Sequence, residues 1–190
     1  MKRIIILASG SGSNAENIIT YFRKHQQIEV SAVLTNKNTA QVIERCKRLK
    51  VPVLYFNKVA FSDSKVVLDF LLSQKPDLIV LAGFLWKIPI QFIEAFPNKI
   101  VNIHPALLPK YGGKGMYGAK VHEAVKESRD TETGITIHFV NEHYDEGAII
   151  HQAKTNVSHD DTPEQIAEKV HALEYEHYPE VLEKILLKNG

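Results

Sequence analysis

The sequence predicts an α/β protein: an open, mostly parallel twisted sheet with helices on both faces and antiparallel strands near the C-terminal part. Three observations predict it. Short continuous apolar runs recur at Ile4 to Ala8, Val30 to Leu34, Leu78 to Ala82 and Ile100 to Ile103, and continuous rather than alternating runs mark strands covered on both faces. Segments with helical apolar spacing separate most of them, which calls for parallel strands joined by right-handed crossovers. After Pro105 two β-rich runs, Ile135 to Val140 and Ala148 to Ala153, lie close enough to pair as antiparallel neighbours. A length of 190 residues fits one domain, 1–190, able to bury about 70% of its unfolded surface.

Each element has its own signal. Glycines and serines at 9–13 break the first strand, and Ala15, Ile18, Ile19 and Phe22 then form one helical stripe. Val42, Ile43, Cys46 and Leu49 mark a second helix, ended by Pro52. Val53 to Phe56 is a short strand, and Val66, Val67, Phe70 and Leu71 stripe a third helix. A segment around Pro89 to Ala95 separates the strands at 78 and 100. A loop rich in proline, glycine and lysine runs from Pro105 to Gly118, and a helix covers about Ala119 to Glu127. Thr162-Pro163-Glu164-Gln165 reads as a helix start, with Thr162 as cap and Gln165 reaching back. Pro179 is expected to kink that last helix or divide it in two. No repeat, low-complexity tract or linker interrupts the chain.

Composition narrows the function classes. With 23 basic and 22 acidic residues the net charge is +1, so no basic excess argues for nucleic acid or a membrane surface, and a small-molecule partner is expected. One cysteine, Cys46, excludes an internal disulfide and a thiolate metal site and fits a reducing, cytoplasmic setting. The apolar start is too short for a signal peptide, and nothing approaches the ~18 apolar residues of a membrane span. Nine histidines are many, but without a His-Glu-x-x-His or Cys/His cluster no metal is expected; His138 with His143 is weak support.

Two places carry chemistry. Gly10-Ser11-Gly12-Ser13-Asn14-Ala15 follows a strand and opens a helix, where free N–H groups and the helix dipole attract anions. It matches a dinucleotide fingerprint formally, yet the second strand ends Leu34-Thr35-Asn36-Lys37, without the acid that would hold a ribose. A phosphate cradle is therefore favoured over a plain tight turn. The second place is Asn102-Ile103-His104-Pro105, at the carboxyl end of a strand, where ligands of open α/β sheets bind. Residues two apart in a strand point to the same side, so the Asn102 amide and His104 imidazole can converge on a developing oxyanion. No serine or cysteine stands beside them as a nucleophile. A buried histidine with an asparagine capping the turn is the bland alternative. An acid is needed to hold His104 as a cation, and Asp145, Glu142 and Glu146 all qualify.

Taken together, Asn102-Ile103-His104-Pro105 with Leu107-Leu108-Pro109, the Gly10 to Asn14 turn, Leu81-Ala82-Gly83-Phe84, and His138-Phe139-Val140 leading to Asp145 resemble the phosphoribosylglycinamide formyltransferases. The resemblance spans essentially the whole chain, within the wider group of folate-dependent formyltransferases. It implies transfer of a formyl group from 10-formyltetrahydrofolate, a co-substrate rather than a bound cofactor, to the amine of phosphoribosylglycinamide in purine synthesis. It makes Asn102, His104 and Asp145 catalytic. It puts the ribotide at Gly12, Ser13, Asn14 and the stretch His171, Ala172, Leu173, Glu174. The folate falls to Lys65, to Leu85, Trp86, Lys87 and Ile88, to Asn102, and to Asn141, Glu142, His143, Tyr144 and Asp145.

Lys65 stands where many relatives have arginine, which keeps the charge but weakens a bidentate contact. Trp86 replaces a smaller or basic residue, and the loop 110–118 is longer than usual. Relatives acting as deformylases or on methionyl-tRNA carry extra domains for which 190 residues leave no room. Small-molecule substrates, no nucleic acid, no membrane, and a monomer or homodimer are expected. The alternatives are a 10-formyltetrahydrofolate hydrolase, a dinucleotide-binding oxidoreductase and a non-catalytic binding module.

Overall fold

A computed structural model describes residues 1–188. Five strands run parallel: β1 (Lys2–Ala8), β2 (Ile28–Thr35), β3 (Val53–Tyr55), β4 (Leu78–Leu81) and β5 (Ile100–His104). β6 (Glu132–Phe139) and β7 (Ile149–Asn156) continue the sheet antiparallel, giving the spatial order β3-β2-β1-β4-β5-β6-β7. The helices are α1 (Ser13–Phe22), α2 (Val42–Leu49), α3 (Val66–Gln74), α4 (Ile90–Ala95), α5 (Ala119–Glu127) and α6 (Pro163–Lys188). The order reverses between β1 and β4, so the crevice for a ligand opens at the carboxyl ends of β1, β4 and β5.

The apolar runs have the anticipated cause. Ile4, Ile6 and Ala8 of β1 pack in one buried cluster with α1, α2, α5 and α6, while Ile5 and Leu7 pack in a second with α3 and α4. β4 divides the same way, with Val80 on one side and Ile79 and Leu81 on the other. β6 does not: Ile135 and Ile137 join the first cluster, and the second cluster takes no buried residue from β6 or β7.

Three expectations are corrected. In α3 the buried residues are Val67, Leu68 and Leu71, while Val66 is 63% exposed. The run Val66-Val67-Leu68-Asp69-Phe70-Leu71 offers several apolar phases, and packing against the second cluster selects one. β6 and β7 start or end further out, at Glu132 and Asn156, through polar residues that alternation alone did not claim. Pro179 does not divide the last helix, which runs unbroken from Pro163 to Lys188. The carbonyl a residue-179 N–H would have served is that of Tyr175, and it accepts from Asn17 Nδ2 at 2.8 Å instead. The start of α6 is the anticipated reciprocal cap, with Gln165 N–H on Thr162 Oγ1 (3.3 Å) and Thr162 N–H on Gln165 Oε1 (2.8 Å).

α6 is tied to the sheet by Tyr178, which is fully buried and donates its hydroxyl toward Leu81 O (3.0 Å) and Val101 O (3.3 Å), on β4 and β5. Tyr178→Phe removes the donor from a dry place and is expected to cost about 1–3 kcal/mol of stability. Urea denaturation measures this, and a variant as stable as the parent would deny the bond any part in holding α6.

Candidate active site

A cleft of about 680 Å³ opens at the carboxyl ends of β1, β4 and β5. The glycine turn forms one end. Gly12 has φ +75 and lies against Val42 so closely that a Cβ would overlap that side chain, so no other residue fits. Its carbonyl accepts from Glu16 N–H at 2.8 Å to start α1, whose first-turn amides have no partner within the helix, and Ser13 and Asn14 line the cleft. Arg45 Nε holds the turn from behind through Ser11 O (2.8 Å).

Glu174 reaches the same end from α6. It is 5% exposed and accepts from Asn14 Nδ2 at 2.8 Å, and burial pushes its carboxyl above the ordinary range against the pull of Asn14 and His171. His171 lines the cleft beside it. Ala172 and Leu173 do not line it: the first is exposed, and the second packs on the core. Of that four-residue stretch, one helix face alone meets the cavity.

The opposite wall is the segment Leu85 to Ile88 with Asn141, His143, Tyr144 and Asp145. Leu85 N–H is anchored on Ser9 Oγ at 3.0 Å, and Trp86 leans on Phe56, Phe61 and Phe84. Lys87 sits over the Tyr144 ring, 5.5 Å from its centre, which joins the two halves of this wall. Lys65 and Glu142 are not in the wall. Lys65 is an exposed residue at the start of α3, and Glu142 points outward and pairs with His143 at 3.7 Å.

Between the two ends, β5 and β6 supply the polar centre. Asn102 is paired with His138 and His104 with Thr136 across the antiparallel ladder, so all four side chains share the face where the second apolar cluster has ended. His138 Nδ1 faces Phe139 O (2.9 Å), an acceptor only, and so carries the ring proton. Its Nε2 then accepts from Asn102 Nδ2 at 3.1 Å. The second amide hydrogen of Asn102 remains for the cleft.

His104 is 4% exposed, and its Nε2 donates to Tyr111 O at 2.7 Å. Its Nδ1 stands 3.6 Å from Asp145 Oδ2, too far for a hydrogen bond and near enough for charge to matter. Asp145 also lies 3.7 Å from His138 Nε2 and accepts from Gly113 N–H at 2.9 Å. Burial pushes its carboxyl up, but the neighbouring imidazoles and the Gly113 amide outweigh that and hold it below the ordinary value.

The expectation that Asp145 keeps His104 cationic at rest is corrected. Burial is the largest influence on His104 and lowers its pKa from 6.5, more than Asp145 and the Tyr111 carbonyl raise it, with His138 lowering it further. At neutral pH the resting ring is therefore neutral, protonated on Nε2, and a proton gained at Nδ1 is readily given up.

Two histidines of the cleft lay outside the expected site residues. His138 entered as part of the motif leading to Asp145 and as weak metal support, without a place in the site, though the alternation Ile135-Thr136-Ile137-His138 marks a strand with one polar face. His122, on α5, is 3% exposed and lines the cleft between His104 and His171. No sequence signal separates it from an ordinary helix histidine. Among the described residues no group of three or more His, Cys, Asp or Glu could hold a metal ion, and no helix is long and apolar enough to cross a membrane.

The family model described as formyl transferase matches residues 2–182. The chain belongs to the formyl transferase family. A chloroplastic phosphoribosylglycinamide formyltransferase of Arabidopsis thaliana is 42% identical over 95% of this chain, which spans 64% of that relative's length. A Vigna unguiculata relative is likewise spanned over 61% of its length. The Bacillus subtilis phosphoribosylglycinamide formyltransferase is 35% identical, with 100% of this chain and 97% of that protein covered. The solved structure of a glycinamide ribonucleotide transformylase from Symbiobacterium toebii matches with a TM-score of 0.90 and 32% identity, over 99% of this chain and 89% of that one.

The buried His122 makes a pH prediction. Burial, with His171 and His104 pushing the same way, lowers its pKa from 6.5 to about 4. Between those values the unfolded imidazole takes up a proton that the folded one refuses. Stability should therefore be complete above about pH 6.5 and fall toward pH 4, by at most about 3 kcal/mol from this group. Urea midpoints at about pH 7 and about pH 4.5 should differ less in His122→Asn than in the parent; equal differences would contradict the assignment.

Proposed function

We propose that this chain transfers the formyl group of 10-formyltetrahydrofolate to the amine of phosphoribosylglycinamide, as one formyltransferase domain over residues 1–190. The observation that carries the reading is the convergence of the Asn102 amide, His104 Nδ1 and the Asp145 carboxylate in one cleft, between an anion-attracting turn and an aromatic wall. The names of the relatives support it independently.

The geometry supports the following roles. The ribotide phosphate lies against the turn Gly12, Ser13 and Asn14, with His171 and Glu174 facing its sugar or glycinamide end. The folate lies against Leu85 to Ile88 and the loop 141–145. The neutral amine attacks the formyl carbon, forming the C–N bond and moving the carbonyl electron pair onto oxygen. Asn102 Nδ2–H and a protonated His104 Nδ1 stabilise that oxygen. The lowered pKa of His104 makes Nδ1–H a strong donor once Nδ1 has taken the proton released by the attacking amine.

Collapse reforms the carbonyl and expels the folate nitrogen. That nitrogen takes up the proton released by the attacking amine, through His104 or a water held by Asp145. A cytoplasmic setting, on the strength of the single Cys46, and a monomer or homodimer complete the reading. An oxidoreductase fits the glycine turn but lacks an acid at the end of β2 to hold a ribose.

The test is release of tetrahydrofolate from 10-formyltetrahydrofolate with and without the ribotide. Release only with ribotide is expected; release without it indicates a hydrolase. His104→Ala and Asp145→Asn should each lower kcat by roughly 10²- to 10³-fold with little change in ribotide KM, and near-normal turnover in either would remove it from the chemistry.

A further inference from the structure

The stretch Lys110 to Gly113 touches both members of the His104–Asp145 pair, and only through its backbone. Tyr111 O accepts from His104 Nε2 at 2.7 Å, and Gly113 N–H donates to Asp145 Oδ2 at 2.9 Å. A carbonyl can only accept, so the first contact fixes the ring proton on Nε2 and turns Nδ1 toward Asp145. Gly112 lies so near that a Cβ there would press on Leu108 Cδ2 and sit 3.4 Å from the Asp145 Cβ.

To present its carbonyl, Tyr111 adopts φ +56, a left-handed conformation that L side chains rarely take. Something must hold it there. The Tyr111 hydroxyl donates to Asp130 Oδ2 at 2.9 Å, and Lys110 Nζ binds the same oxygen at 3.0 Å. Asp130 lies between α5 and β6 and stands outside the cleft.

We propose that Asp130 and Tyr111 form a latch that positions the catalytic imidazole: Asp130 holds the Tyr111 ring, and the Tyr111 carbonyl fixes which nitrogen of His104 carries the proton and which is free to act. Asp130 is a positioning residue and touches no substrate. The kinetic part of this inference rests on the proposed function; the tautomer part does not.

The test compares Tyr111→Phe, Asp130→Ala and the double variant, in the whole chain, by steady-state kinetics and by 15N NMR of labelled histidine. Each single variant is expected to lower kcat about tenfold, as a small misplacement of a catalytic group does, with ribotide KM within about twofold. The double variant should fall no further, because the two side chains make one contact. The 15N resonances of His104 should move from the Nε2–H pattern toward mixed tautomers. Asp130→Asn keeps an oxygen for the Tyr111 hydroxyl and should recover most of the loss.

An unchanged tautomer pattern in both single variants overturns the latch, whatever happens to stability or rate. An unchanged kcat in both overturns its part in catalysis. If the parent shows no ribotide-dependent transfer, the proposed function fails, while the NMR comparison still decides the latch.

Discussion

The second face of the sheet loses its helical cover beyond β5, and the site is built in that gap. On that face β1 and β4 are sealed by α3, α4 and the aromatic group around Phe61, and the apolar cluster ends before β6. Side chains pointing there from β5 and β6 cannot be buried under a helix, so Asn102, His104, Thr136 and His138 take the positions that isoleucines take on the other side. Two loops, 105–118 and 141–147, cover them instead. Loops bring backbone donors and acceptors with them, which is why Tyr111 O, Gly113 N–H and Leu108 N–H are all spent on this polar face.

That arrangement resolves an electrostatic difficulty. A carboxylate in the wall of a cleft pays for lost hydration, and Asp145, with its side chain 12% exposed, has lost most of it. The Gly113 amide donates to it in place of water, and its carboxyl is held below the ordinary value. His104 has the opposite balance: its one full hydrogen bond goes to a carbonyl, Asp145 stands 3.6 Å away, and burial wins. The site sets an acid held toward its charged form beside an imidazole pushed toward its neutral form.

How much of this could be read from residues alone depended on what each signal encodes. Strands buried on both faces write themselves as apolar runs, so β1, β2, β4 and β5 were legible, and the stripe of α1 was legible residue by residue. The phase of α3 was not, since six nearly continuous apolar residues leave the choice to packing partners. Pro179 misled because its cost is set by the orphaned carbonyl, and the donor that relieves it, Asn17, lies 158 residues from Tyr175. In the site, Asn102 and His104 were legible from strand parity. The choice of Asp145 over Glu142 came with the family resemblance, because loop geometry and not composition turns Asp145 inward at φ +57 and leaves Glu142 outside. His122 and the Asp130–Tyr111 contact required the fold.

The two carboxylates of the cleft are shifted in opposite directions by their surroundings. Glu174 is buried with a single strong donor, Asn14, and its pKa is driven up; Asp145 is buried with several, and its pKa is driven down. Groups of one chemical kind pushed apart by their surroundings are given different tasks. Under the proposed function, a Glu174 carboxyl shifted toward its neutral form repels a phosphate at the glycine turn less than one left at its ordinary value. Under the same reading, Asp145 steadies the positive charge that His104 takes on only as the reaction proceeds. The continuity of α6 through Pro179, with Asn17 on the Tyr175 carbonyl, keeps Glu174 against Asn14 at the glycine-turn end of the cleft.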